Sequence, residues 1–140
     1  MQKMAHTITH HEALIYAMVT MSAVDRKMTD QELARIGDIV SNVPIFEDFD
    51  SNKLVASAEA CGEILSADGG LDAVLSEIGS AIPSSLAETA YALALEVAAA
   101  DMNVRPEEVR FLELLGEQLS LNKLVTAAIE RGVKARLATI

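Results

Sequence analysis

Four carboxylates stand out by type and spacing. Asp25-Arg-Lys-Met-Thr-Asp-Gln-Glu32 and Asp101-Met-Asn-Val-Arg-Pro-Glu-Glu108 each place an aspartate after a long apolar stretch and a glutamate seven residues on. A helical reading puts each aspartate at a helix C-terminus, where partial negative charge makes it unfavourable by on the order of 0.3–1 kcal/mol. Each glutamate falls in the first turn of the next helix, where negative charge is favoured. If the turn folds back, aspartate and glutamate face one another, and at about 4 Å they repel by roughly 4 kcal/mol at an effective dielectric of about 20. A hard divalent cation relieves that repulsion and takes oxygen ligands. The chemistry these residues offer is therefore cation binding at Asp25, Glu32, Asp101 and Glu108.

A structural reading competes with it. Asp25 can serve as an ordinary turn residue, accepting the backbone N–H of Lys27 or Met28. Glu32 has the spacing of a capping box with Thr29, in which side chain and backbone exchange hydrogen bonds. Glu12 pairs with Thr9, and Glu88 with Ser85, in the same spacing. At Glu108 the capping reading is expected to fail, because Arg105 stands where the hydroxyl should be. An EF-hand is excluded: the twelfth positions counted from Asp25 and Asp101 are Ile36 and Leu112, not glutamate. The acidic turn Asp68-Gly-Gly-Leu-Asp72 puts Leu75 at the seven-residue position and breaks the pattern.

These residues must be positioned by helices. Leu14, Met18 and Met21 form one stripe on a first helix running from Thr9 to Asp25. A second, capped at Thr29, buries Leu33, Ile36, Ile39 and Val40 and ends before Pro44. The middle, 43–84, contains Phe46 and Phe49 as expected core plugs, a helix from about Asp50 to Ser66, and a shorter one from Leu71 to about Gly79. The fifth, from Ser85 to Asp101, is the most apolar and is expected at the centre of the bundle, with Leu93 and Val97 inaccessible. Pro106 opens a sixth with Val109, Leu112, Leu115 and Leu119 inward. Asn122 caps a seventh with Leu124, Val125, Ala128, Ile129 and Val133 inward, and with Lys123, Arg131, Lys134 and Arg136 solvated. No strand pattern competes. The expectation is an all-α single domain over 1–140, a compact bundle of about seven helices. Matches at an offset of 76 residues make 9–42 and 85–119 two copies of a helix-pair repeat, with 43–84 inserted and a C-terminal helix over about 122–139.

Composition narrows the function. A formal charge of -10 argues against a nucleic-acid binder, which needs a basic face. Residues 1–119 hold 20 acids against 7 Lys and Arg, whereas 120–140 hold 4 Lys and Arg against Glu130 alone. Cys61 is the only cysteine, so it reads as buried packing. His6, His10 and His11 read as a surface cluster rather than a zinc site. No triad, Gly-rich phosphate loop or Glu-x-x-His motif is present, and a catalytic reading would need an unrecognised acid–base pair. With no signal peptide and no apolar run of about 20 residues, the chain is expected to be soluble and intracellular.

Ala23-Val-Asp25-x6-Glu32 and Ala99-Ala-Asp101-x4-Pro106-Glu-Glu108-x2-Phe-Leu112 resemble the duplicated signature of the TerB-like tellurite-resistance proteins. The resemblance covers about Ala13 to Leu137 and includes Ile82-Pro83. It implies a bacterial, cytoplasmic, non-enzymatic helical bundle for metal binding or stress response, with acidic signature positions at Asp25, Glu32, Asp101 and Glu108 and no organic cofactor. Arg26 and Met102 stand where the family has glycine after each aspartate. The family's partners include an integral membrane protein of the tellurite-resistance system, which implies work at the inner face of a membrane. A metal-free scaffold whose acidic face or basic last helix docks such a partner is the alternative.

Overall fold

The computed structural model describes residues 8–24, 28–99 and 105–140. Its helices are α1 (His10–Ala23), α2 (Asp30–Asn42), α3 (Leu54–Ser66), α4 (Gly70–Ala81), α5 (Ala87–Ala99), α6 (Pro106–Gln118) and α7 (Lys123–Leu137), joined by short 3-10 turns at Pro44–Phe46, Ser51–Lys53 and Ser84–Leu86. No strand occurs among the described residues. The chain is an all-α bundle, as the periodicity predicts.

Two helices form the centre where the sequence put one. Every residue of α1 from Ala13 to Ser22 is buried, so α1 has no solvent face in that stretch. It packs against α2, α3, α4, α5 and α6. A helix apolar on all sides is enclosed on all sides. Thr20 and Ser22 are small enough to be enclosed with it. Leu93 and Val97 of α5 are buried as expected, but α5 shares the centre with α1 and does not own it. Gly70 permits the tight α3–α4 corner: a Cβ there would lie 2.3 Å from the Ile64 carbonyl oxygen.

Cys61 is fully buried, with Sγ 3.5 Å from Thr20 Oγ1. Burial pushes its thiol up to about 11, so it stays neutral and packs α3 onto α1. His11 corrects the surface-cluster reading. It is buried, its Nε2 lies 2.8 Å from the Ile45 carbonyl oxygen and 3.3 Å from Asp48 Oδ1, and its ring stacks on Phe46 at 5.6 Å. The 3-10 turn at Pro44–Phe46 folds over the start of α1 and brings an acceptor to this imidazole. His6 lies outside the described residues.

On α6 the inward face is Glu108, Phe111, Leu112, Leu115 and Gly116. Val109 is 46% exposed, one position off the expected stripe. On α7 only Val133 is buried, and Leu124 is 81% exposed. Polar latches help hold α7: the Tyr91 hydroxyl donates to Glu130 Oε2 at 2.6 Å, and Arg136 pairs with Glu96. Arg136 is therefore a tether to α5 and not simply a solvated cation. Burial, then the Glu130 carboxylate, push the Tyr91 phenol well above its ordinary value.

Candidate cation site

Three helices begin with a glutamate at the third position that turns back onto the chain. At α1, Glu12 Oε1 accepts the Thr9 N–H at 2.8 Å, and Thr9 Oγ1 accepts the Glu12 N–H at 3.1 Å. At α2 the arrangement repeats: Glu32 Oε1 takes the Thr29 N–H at 2.8 Å and Thr29 Oγ1 takes the Glu32 N–H at 3.1 Å. Thr9 and Thr29 have extended backbone, the conformation an N-cap requires.

α6 departs from this in one half of the exchange. Glu108 Oε1 accepts the Arg105 N–H at 2.8 Å. A guanidinium only donates, so no side chain returns the bond; the Glu108 N–H goes to the Arg105 carbonyl at 3.0 Å. Arg105 Nη2 instead approaches Glu108 Oε2 at 3.4 Å. The expectation that capping fails at Glu108 is thus corrected. The carboxylate half of a box needs only a backbone N–H, and any N-cap residue other than proline supplies one. Glu88, in contrast, forms no box with Ser85. The turn Ser84–Leu86 moves the start of α5 to Ala87 and leaves Glu88 exposed.

Capping does not explain where two of these glutamates sit. Glu108 is 2% exposed and Glu32 is 6% exposed, and among the described residues no other acid is buried. Glu12 makes the same bonds while remaining half-exposed. Each buried glutamate takes the first place on its helix's inner stripe: Glu32 with Ile36, Ile39 and Val40, and Glu108 with Phe111, Leu112 and Leu115. Burying a carboxylate is expensive unless it is paired, bonded or ligated. The capping bond uses Oε1 of each.

Asp25 and Asp101 lie outside the described residues. Among the described residues no three His, Cys, Asp or Glu side chains come together as a metal-holding group. Of the four predicted ligands, the described residues contain two, Glu32 and Glu108. The donors on offer are carboxylate oxygens, which fit a hard divalent ion and not a soft one.

Fold and site together define a small helical bundle with buried acids at the starts of α2 and α6. Residues 11–131 match the family model described as "Tellurite resistance protein TerB". The chain belongs to the TerB family. No curated protein and no solved structure matches it. Among the described residues no helix is long and apolar enough to cross a membrane.

Proposed function

We propose that this TerB-family chain is a non-enzymatic module of a tellurite-resistance or stress response that binds a divalent cation through Asp25, Glu32, Asp101 and Glu108. One observation supports it above the others: Glu32 and Glu108 are the two buried acids of the described chain. A capping role alone accounts for Glu12 without burial. A bound cation is one arrangement that offsets buried carboxylate charge.

Arg105 stands near Glu108 and offsets part of its charge. A divalent ion held by Glu108 would supply a stronger neutralisation than that contact. Work in the cytoplasm, reaching the inner face of a membrane through an integral membrane partner, belongs to this reading. Calorimetric titration of the full chain with calcium, magnesium, manganese and zinc tests it. Saturable heat with at least one ion, lost when Asp25 and Asp101 are both changed to Asn, is the expected result. An absence of heat with all four refutes cation binding.

A further inference from the structure

An open groove of about 880 Å³ lies between α2 and α3, with Val19 and Ala23 of α1 lining it. The two helices approach one another at Gly37, where an added Cβ would lie 3.6 Å from Leu54 Cδ2. The groove follows α3 from Val55 to Ser66, about 16 Å of helix or three turns. Its apolar wall includes Leu33 and Val55, the latter 52% exposed. Among the described residues its charged lining is of one sign: Asp30, Glu59 and Glu63 contribute carboxylates, and no Lys or Arg lines it.

Gly62 keeps this groove open. A Cβ at Gly62 would meet nothing within 4 Å, so no neighbour in the bundle requires glycine there. An interior helix glycine is unfavourable by about 1 kcal/mol relative to alanine. The groove is thus deepened in the middle of α3 at some cost to the helix.

We infer that this groove docks a basic amphipathic helix of a partner protein. Its length matches about three helical turns, its apolar lining receives one stripe of side chains, and its acids meet Lys or Arg flanking that stripe. An acidic helix is repelled by the same carboxylates. The inference goes beyond cation binding and does not rest on it, since neither Glu32 nor Glu108, the two proposed ligands among the described residues, lines the groove.

The test is binding of a synthetic amphipathic Leu/Lys peptide to the full chain, with chelator present so that no divalent ion contributes. The Leu/Glu counterpart serves as the control. The Leu/Lys peptide should bind and the Leu/Glu peptide should not. Gly62→Phe, which fills the groove, should weaken binding by at least about tenfold. Glu59→Lys with Glu63→Lys should weaken it by roughly threefold to tenfold. Glu107→Lys with Glu113→Lys makes the same charge change on the exposed face of α6, and should change it by less than about threefold through general electrostatics alone. The Lys pair on α3 lies on exposed positions, so it remains decisive if Gly62→Phe fails to fold. Equal weakening by both Lys pairs, or no binding by the parent, overturns the inference. Sedimentation supplies the remaining arm: self-association abolished by Gly62→Phe would assign the groove to a second copy of this chain and overturn the foreign partner.

Discussion

At the start of α2, Thr29 and Glu32 exchange two hydrogen bonds, one in each direction. At the start of α6, Glu108 accepts one from Arg105, and the side chain that answers is a cation. Both glutamates are buried to nearly the same extent. The difference shows which part of the motif is dispensable. A capping hydroxyl can be exchanged for a guanidinium, and the buried carboxylate persists. Glu12 supplies the opposite case, a complete box without burial. Burial and capping are therefore separate properties, and α2 and α6 share the burial.

The largest effect expected from this contrast is on stability in chelator. Glu108→Ala and Glu32→Ala each remove a buried side chain and the acceptor of an N-cap N–H, and each should cost about 2–3 kcal/mol. Glu12→Ala loses the same bonds from a half-exposed site and should cost about 1 kcal/mol or less. Urea unfolding of the three variants checks the order. A Glu12 cost equal to that of Glu108 would mean that burial contributes nothing beyond capping.

Substituting Gln sharpens the comparison. Gln keeps an oxygen for the N-cap N–H, so Glu32→Gln should stay within about 0.5 kcal/mol of the parent in chelator. Glu108→Gln also weakens a charge-assisted contact with Arg105 and should lose about 1 kcal/mol. The guanidinium makes that expected sign a loss, where repulsion with a facing aspartate alone would give a gain.

The smallest effects separate the two N-caps. Thr29→Ala should cost about 1 kcal/mol through its lost hydroxyl bond. Arg105→Ala should cost less, on the order of 0.5 kcal/mol, because the ion pair is long and its guanidinium is 28% exposed. Arg105→Thr completes the box and should recover about 0.5 kcal/mol of stability relative to Arg105→Ala. Thermal melts in chelator resolve these differences. A cost at Arg105→Ala above that of Thr29→Ala would show the guanidinium to be the stronger partner.

Local signals in the sequence were read correctly where the cause was local. Thr9-x-x-Glu12 and Thr29-x-x-Glu32 form the boxes their spacing predicts, and Ile36, Cys61 and Leu115 lie inward as expected. Failures arose where neighbours decide. The apolar character of Ile15, Tyr16 and Val19 beyond the Leu14–Met18–Met21 stripe was visible, and it marks α1 as enclosed on all sides. Burial of His11 depends on Ile45, 34 positions away, and no local pattern carries it. Glu108 reads from the sequence as a first-turn acid of the sixth helix, and the expected stripe starts one position later, at Val109. The register of Phe111, Leu112 and Leu115 already placed position 108 inward. Leu124 misled in the other direction, since α7 is latched through Tyr91–Glu130 and Glu96–Arg136 as much as through apolar burial.

The central claim is that the buried glutamates are cation ligands, and thermal unfolding of the parent chain with and without divalent ions tests it most directly. At about 100 times its dissociation constant, a bound cation should stabilise the parent by roughly 2.7 kcal/mol, a rise of several degrees for a domain of this size. Glu108→Gln and Glu32→Gln should each show a smaller rise. A parent melt indifferent to calcium, magnesium, manganese and zinc would contradict the claim.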